Sequence, residues 1–272
     1  MELSCSSIYN HLLKIIRNNT IDLSECTFIH PWALILICLL LVKKHNNNDK
    51  EIILPKSSEA LFYLRRARLH EILKKLSYNQ SADFLEKIFV NEKDNLNIQE
   101  IIHCNFRDEF NARLERFGKI FMNFGLREND ARLVVALIGE LGNNVYDHNL
   151  GNWPTDISGC FITAQNYPQK KCLEFVIGDP GIGFLGSLKA NFPGLSDDIS
   201  AIKHGLAGNT GRINEDRGNG LKFIQNWTLE NFSGNILIHS GKGLVFLDKD
   251  KIEGKEAVEI VGTIVQIMLY YK

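Results

Sequence analysis

The sequence lacks an excess of charge of either sign. Its 31 Lys and Arg residues offset 32 Asp and Glu residues, which leaves a formal net charge of −1. A global field that would attract nucleic acid or an anionic membrane surface is therefore missing. We expect neither of them as a partner. The remaining composition, 44% hydrophobic and 23% charged, is ordinary for a globular protein.

Closely spaced cysteine pairs are also missing. None of the six cysteines belongs to a C-x-x-C motif, so we do not expect a zinc site. Most of them lie in apolar stretches, where a free cysteine behaves as a small hydrophobic residue. This usage predicts a reduced, cytoplasmic compartment. The cysteines are Cys5, Cys26, Cys38, Cys104, Cys160 and Cys172.

No apolar run is long enough to cross a membrane. The longest, PWALILICLLLV at residues 31–42, falls well short of a bilayer core of about 30 Å at roughly 1.5 Å per residue. The first residues also lack the basic start and apolar core of a signal peptide. We expect a buried helix, with Pro31 in its first turn, where a missing N–H costs nothing.

The first 80 residues predict a small α/β domain. Short strands are expected at 20–23 and 51–54, on either side of the buried helix, and Ser57 or Ser58 can cap a helix that runs to about Leu76. This order predicts at least one parallel strand pair. Residues 81–106 are polar and irregular, and we interpret them as a connector.

The segment 107–272 predicts a second domain of the α/β (α+β) class. A helix is expected at 107–123 and another from about Asp130 to His148, with an apolar stripe at helical spacing. The chain then becomes rich in strands, and two joins short enough for hairpins predict that part of the sheet is antiparallel. The expected strands are 160–164, 173–177, 236–239, 244–247 and 258–270.

The second of these helices carries a polar face beside its apolar stripe. Glu140, Asn144 and His148 are spaced at i, i+4 and i+8, so they share one helical face. A glutamate there can serve as a general base, and an asparagine oxygen is a hard ligand suited to Mg²⁺. Taken alone, the same spacing also fits a solvated helix face.

Asp179-Pro-Gly181-Ile-Gly183 follows a predicted strand directly. A carboxylate at a strand end can accept a hydrogen bond from an exocyclic amine such as that of adenine, and glycines let the backbone turn beside a ligand. A formal GxGxxG also begins at Gly181, but Pro193 and Gly194 interrupt the helix that a dinucleotide fold would require.

Two further glycine patches are weak signals by themselves. Arg217-Gly218-Asn219-Gly220-Leu221 opens an apolar-periodic helix at 221–229, and glycines before a helix expose N–H groups that suit phosphate. Gly262-Thr263 lies inside the last predicted strand, where glycine usually marks a bulge or a close approach.

In this order, the four patches resemble the GHKL superfamily, which includes histidine kinases, Hsp90, type II topoisomerases, MutL and bacterial anti-sigma-factor kinases. The resemblance covers residues 107–272 and implies a Bergerat-type α/β sandwich with a mixed, largely antiparallel sheet. The matches are the N box (Glu140, Asn144), the first glycine box (Asp179, Gly181, Gly183), the second glycine box (Gly218, Gly220, Leu221) and the closing Gly-Thr pair (Gly262, Thr263).

The resemblance implies a role for each match. Asn144 would ligate Mg²⁺, Asp179 would read adenine with Thr263 beside it, and Glu140 would activate the attacking group. Residues 183–220 would form a lid over the phosphates of ATP, and its end from Arg217 onward would contact the nucleotide.

The anti-sigma-kinase branch is the most similar, because Glu-Leu-x-x-Asn is followed by a histidine four residues later. The N-terminal residues, including Phe28-Ile29-His30-Pro31-Trp32, resemble a STAS domain. The usual STAS phosphosite is a Ser or Thr at this helix start, and here no hydroxyl is present. We therefore expect a docking or dimerising role for this region rather than its phosphorylation.

Three functions remain open at this point. The chain could be a Ser/Thr kinase that acts on a separate protein partner, with Glu140 as the base. It could be an ATP-hydrolysing switch that changes a docking surface or a homodimer on lid closure. It could also be a sensor that binds ATP without turnover.

Overall fold

The protein is described by a computed structural model over residues 20–44, 51–91, 97–149, 152–154, 156–209 and 220–272, together with the backbone of two short strands near the start of the chain. The described strands are β1 Glu2–Leu3, β2 Ile16–Arg17, β3 Thr20–Asp22, β4 Phe28–Ile29, β5 Glu51–Ile53, β6 Ile98–Cys104, β7 Cys160–Tyr167, β8 Cys172–Asp179, β9 Asn235–Ser240, β10 Gly243–Leu247, β11 Ile252–Glu256 and β12 Thr263–Tyr270.

The described residues also form nine α-helices, most of them in groups of two or three between strands. They are α1 Pro31–Lys43, α2 Ser58–Arg66, α3 Leu69–Lys75, α4 Asn79–Glu86, α5 Arg107–Asn123, α6 Glu128–Asn149, α7 Gly183–Leu188, α8 Asp198–Leu206 and α9 Gly220–Asn226. A π-helical turn, Trp227–Asn231, continues α9.

A seven-stranded sheet forms the centre of the molecule, in the order β11-β10-β9-β12-β8-β7-β6. Every neighbouring pair in it is antiparallel. The expectation of a mixed sheet is wrong for this sheet, because hairpins join β7 to β8, β9 to β10 and β10 to β11, and hairpin partners run in opposite directions. Parallel pairing occurs in the small sheets, where β3 pairs with β5 and β1 with β4.

Helix α1 explains the long apolar run. Twelve of its 13 residues are buried, so the helix is hydrophobic on all sides, as expected for a helix inside a core. One side of α1 packs on β7, β8 and β12 of the large sheet. The opposite face of that sheet is covered by α5 and α6, whose apolar residues form a second buried cluster.

The N-terminal region and the large sheet share a core. Among the described residues, one buried cluster joins Leu34 of α1 and Ile52 of β5 to Val176 and Ile264 of the sheet. The prediction that residues 81–106 are irregular is wrong. These residues contain most of α4 and the edge strand β6, whose half-exposed residues gave only a weak apolar pattern.

The predicted helix from Ser58 to about Leu76 is two helices. Ser57 caps α2 by accepting from the Ala60 N–H, as predicted, but Arg68 has a φ of 59° and separates α2 from α3. A left-handed residue cannot continue a right-handed helix. The apolar periodicity survives this break, which is why the sequence predicted a single helix.

The predicted helix at 107–123 matches α5, and α6 begins two residues before Asp130. The last strand begins at Thr263 rather than at 258. Strand β11 was not predicted because all five of its residues are exposed, which leaves no apolar alternation.

A buried carboxylate ties the start of α1 to the sheet. Glu174 is 2% exposed and accepts hydrogen bonds from the Tyr167 hydroxyl at 2.9 Å and the Gln266 amide at 2.6 Å. His30 Nδ1, which precedes α1, lies 4.0 Å from the same carboxylate. Burial raises the pKa of Glu174.

In the part of the chain that the structure describes, no helix is both long and apolar enough to span a membrane.

Candidate functional site

A cavity of about 830 Å³ lies between helix α6, the ends of β8 and β12, and helices α7 to α9. Its size falls within the range of small-molecule sites, about 300–1,000 Å³. The cavity brings together seven residues predicted for the site from four separate stretches of chain: Glu140, Asn144, Asp179, Gly183, Gly220, Leu221 and Thr263.

Asp179 is the buried carboxyl group of this cavity. It ends β8, is 6% exposed, and accepts hydrogen bonds at Oδ1 from the Asn149 side chain and the Gly181 N–H, both at 2.9 Å. Within the described residues, Oδ2 accepts no hydrogen bond from the protein. Burial raises the pKa of Asp179 to about 7, although the two hydrogen bonds act in the opposite direction.

Thr263 lies directly opposite Asp179 in the β8–β12 ladder. Its hydroxyl donates to Ser240 Oγ at 3.1 Å, and Ser240 donates in turn to the Gly262 carbonyl at 3.2 Å. Ser240 also accepts from the Phe184 N–H at 3.0 Å. This chain of hydrogen bonds fixes the Thr263 hydroxyl and anchors the first residues of α7 beside the cavity.

Two of the predicted glycines are required by close approach. A Cβ on Gly262, where φ is +74°, would lie 1.8 Å from the Asp179 carbonyl oxygen. A Cβ on Gly181 would lie 2.0 Å from the side-chain oxygen of Asn149. Neither position has room for a side chain. Gly181 does not itself line the cavity, but its N–H holds the Asp179 carboxylate.

Glu140 and Asn144 face the cavity from α6, and both are partly exposed. A Cβ on Gly220 would lie 2.7 Å from Glu140 Oε2. The start of α9 therefore approaches the carboxylate of Glu140 closely. His148 lines the same cavity one turn further along α6. The polar face predicted from the i, i+4, i+8 spacing is thus a cavity wall rather than a solvated surface.

Arg217 and Gly218 lie outside the described residues, as does most of the loop that precedes α9. Leu221, in the first turn of α9, contributes an apolar part of the cavity wall. Gly183 has a φ of +70° and begins α7, a helix of only six residues. The alternative of a dinucleotide site fails because the sheet that carries this loop has no parallel pairs.

Sequence reasoning missed three residues of the cavity. Asn149, the last residue of α6, links that helix to Asp179. Arg107 at the start of α5 forms an ion pair with Asp147, and both line the cavity. Arg107 was identified only as a helix start, and the pairing joins residues that are 40 positions apart. Only the i+3 spacing of Asp147 from Asn144 could have drawn attention to it.

No group of three or more His, Cys, Asp and Glu side chains is placed to hold a metal ion in the described part of the chain. A metal in this cavity would therefore have few protein ligands. Asn144, at the cavity wall, has a side-chain oxygen that could ligate a metal ion. Such a site would suit Mg²⁺, which commonly keeps several waters and binds through one or two protein oxygens together with substrate phosphates.

Comparisons of the chain with protein-family models, with curated proteins and with solved structures found no match in any of the three.

Proposed function

We propose that this chain binds Mg-ATP in the cavity between α6 and the sheet, as a nucleotide site of the GHKL type. The observation that carries this proposal is the Asp179 carboxylate. It is buried at the inner wall of the cavity, with Oδ1 held by two protein donors and Oδ2 left without one. Asp179 lines the cavity, so an exocyclic amine of adenine could reach this second oxygen and donate a hydrogen bond to it.

The walls next to Asp179 suit a flat, apolar ring. Ile177 and Val265 contribute from the two strands that meet there, and Leu141 and Val145 contribute from α6. A purine ring could lie between these side chains at a small cost in desolvation free energy, because the faces of the ring are weakly solvated. Thr263, opposite Asp179, adds a fixed hydroxyl at the same end.

The polar wall further along α6 suits the phosphates. Asn144 would contribute one oxygen ligand to Mg²⁺, with the remaining ligands from phosphate oxygens and water. A bound Mg²⁺ would neutralise phosphate charge. Gly220 lies close to Glu140, where a side chain would collide with the carboxylate, and both residues line the cavity.

We further propose that the chain is a Ser/Thr protein kinase of the anti-sigma-factor type, acting on a separate protein partner in the cytoplasm. The Glu140 carboxylate would accept the proton of the partner hydroxyl as its oxygen attacks the terminal phosphorus. That attack breaks the bond to the bridging oxygen, which leaves with the ADP. Positioning supplies most of the catalysis in such transfers, so few protein groups are needed.

The STAS-like region would dock the partner. Support comes from α1, which lies against β8, the strand that ends in Asp179. A partner bound to the N-terminal region would therefore act on a region that shares a buried core with the sheet behind the nucleotide cavity. The same arrangement would serve an ATP-hydrolysing switch, in which water takes the place of the partner hydroxyl.

Phosphate release and protein labelling separate these activities. The purified protein would be incubated with Mg-[γ-³²P]ATP, alone and with lysate, and Glu140→Ala would be the control. A labelled protein that appears only with wild type supports the kinase. Phosphate release without a labelled protein supports the switch, and binding without either product supports a sensor. Absence of binding would remove the proposal altogether.

A further inference from the structure

Asn149 is the most constrained side chain of the cavity wall. It ends α6, is 4% exposed, and was not part of the predicted site. Its Nδ2 donates to the Val145 carbonyl and to Asp179 Oδ1, both at 2.9 Å, while its Oδ1 accepts the Ile182 N–H at 2.9 Å. The NH₂ of the amide therefore faces two acceptors, and the oxygen of the amide faces one donor.

These contacts fix which way the amide points. If it were flipped, the amide oxygen would face the Val145 carbonyl and the Asp179 carboxylate, which are both acceptors, and the NH₂ would face the Ile182 N–H. Only the observed orientation satisfies all three partners. Helix α6 and the turn after β8 thus hold the amide donor against Asp179.

We propose that Asn149 is a positioning residue of the nucleotide site, which directs Asp179 Oδ1 into the protein so that Oδ2 is left to accept a hydrogen bond from the ligand. This inference rests on the proposed function. It also accounts for Gly181, because a side chain there would overlap the Asn149 amide. The Asn149 amide therefore occupies the space that a side chain at position 181 would need.

The Asn149 donor also stabilises the charged form of Asp179. Burial raises the pKa of this carboxyl group, and the Gly181 N–H and Asn149 act against that rise. Cys160 of β7 is the neighbouring titratable group, and Asp179 contributes to the rise in the pKa of its thiol. The charged or titratable groups that line the cavity are Glu140, Asp147 and His148 of α6 and Arg107 of α5.

The test uses two variants and one matched control in the full chain. Asn149→Ala removes the amide, and Asn149→Leu keeps its approximate size while losing the donor to Asp179 without adding a charge. The control is Asn166→Ala. Asn166 is also a buried amide, at 2% exposure, but it donates to the Phe124 carbonyl and to Asn97 Oδ1, outside the cavity.

The readouts are the Asp179 carboxyl titration by ¹³C NMR without nucleotide, and the affinity for Mg-ATP from pH 6 to 9. We expect both Asn149 variants to raise the midpoint of each curve by roughly one pH unit or more. Affinity should therefore be reduced severalfold at pH 7 and recover towards pH 9. Asn166→Ala should leave both midpoints unchanged.

Midpoints that stay at the wild-type value in both Asn149 variants would overturn the inference. So would a loss of affinity that is the same at every pH, because it would indicate a structural role only. If wild type binds no nucleotide at any pH, the proposed function fails, and the Asp179 titration still decides whether Asn149 controls this carboxylate. If Asn149→Ala does not fold, Asn149→Leu supplies both readouts.

Discussion

Thr263 and Asp179 face each other across β12 and β8, although 83 other residues separate them in the chain. The pairing places a hydroxyl beside a buried carboxylate at the inner end of the cavity. It arises because β12, the last described strand along the chain, lies between β8 and β9 in the sheet. The pairing of β12 with β8 thus places the Gly262-Thr263 pair beside Asp179 of the first glycine box.

Replacement of Asp179 by Asn should separate binding from stability. Asn can keep both hydrogen bonds at its oxygen, but it presents an NH₂ where Oδ2 was, so an adenine amine would face a donor. We expect Mg-ATP affinity to fall at least tenfold, on the loss of one hydrogen bond to a charged group. Calorimetric titration measures this, and undiminished affinity would refute the assignment of Asp179.

The same variant should be more stable than wild type at pH 8. The folded-state pKa of Asp179 is raised from 3.8 to about 7, so between these values the folded protein holds a proton that the unfolded chain has released. Wild-type stability therefore falls as pH rises through this window. Asn does not ionise, and we expect a gain of about 4 kcal/mol at pH 8.

Urea denaturation at pH 8 and at pH 3.5 checks this difference. Near pH 3.5 the carboxyl group is largely protonated in both states, and the gain should shrink towards zero. A variant that is less stable than wild type at pH 8 would contradict the assigned ionisation of Asp179.

Replacement of Glu140 by Gln should preserve nucleotide binding and abolish turnover. The amide keeps the size of the side chain but cannot accept a proton, and loss of a general base typically lowers a rate by about 10²–10⁴-fold. Single-turnover phosphate transfer or release measures the effect. Glu115→Gln, at an exposed position of α5, is the control. A Glu140 variant with wild-type turnover would remove this residue from the mechanism.

Replacement of Asn144 by Ala should reduce the contribution of Mg²⁺ to ATP affinity. The amide oxygen is the protein ligand proposed for the ion, so its loss should narrow the difference between affinities with Mg²⁺ and with EDTA by roughly tenfold. Affinity in EDTA should change little. An equal loss in both conditions would show that Asn144 contacts the nucleotide rather than the metal ion.

Replacement of Ile35 by Ala should destabilise the N-terminal region and the sheet together. Ile35 of α1 is fully buried, and its Cγ2 would lie 2.4 Å from a Cβ on Gly178, the residue before Asp179. Such truncations cost about 2–5 kcal/mol. We expect a single unfolding transition with a lower midpoint. Phe89→Ala, at a side chain that is 86% exposed, should change stability by less than about 0.5 kcal/mol. Two separate transitions, with only one of them shifted, would contradict the shared core.

Much of the fold follows from local patterns. The all-apolar run at 31–42 predicted a buried helix, and the structure places α1 in a core; the bounds of α5 were predicted as observed. The edge strand β11 was missed because its exposed residues need no apolar alternation, and β6 was missed because Gln99 takes one of its buried positions. The sharing of one core between the two halves depends on long-range packing, which no local window contains.

The site was predictable where a spacing or a glycine marked it. Glu140 and Asn144 share a helical face, and Gly181, Gly220 and Gly262 proved to be points of close approach. Asn149 was missed because its partner, Asp179, lies 30 residues further along the chain, and a single asparagine at a helix end has many structural uses. The ion pair between Arg107 and Asp147 was missed for the same reason.

Calorimetric titration of the wild-type protein at pH 8 decides whether the cavity binds Mg-ATP. At this pH most of the Asp179 carboxyl group is ionised, given its pKa of about 7. The account predicts saturable binding of one nucleotide per chain, and competition by ADP but not by GTP, whose carbonyl oxygen would face the carboxylate. No binding at millimolar Mg-ATP, or equal binding of GTP, would contradict it.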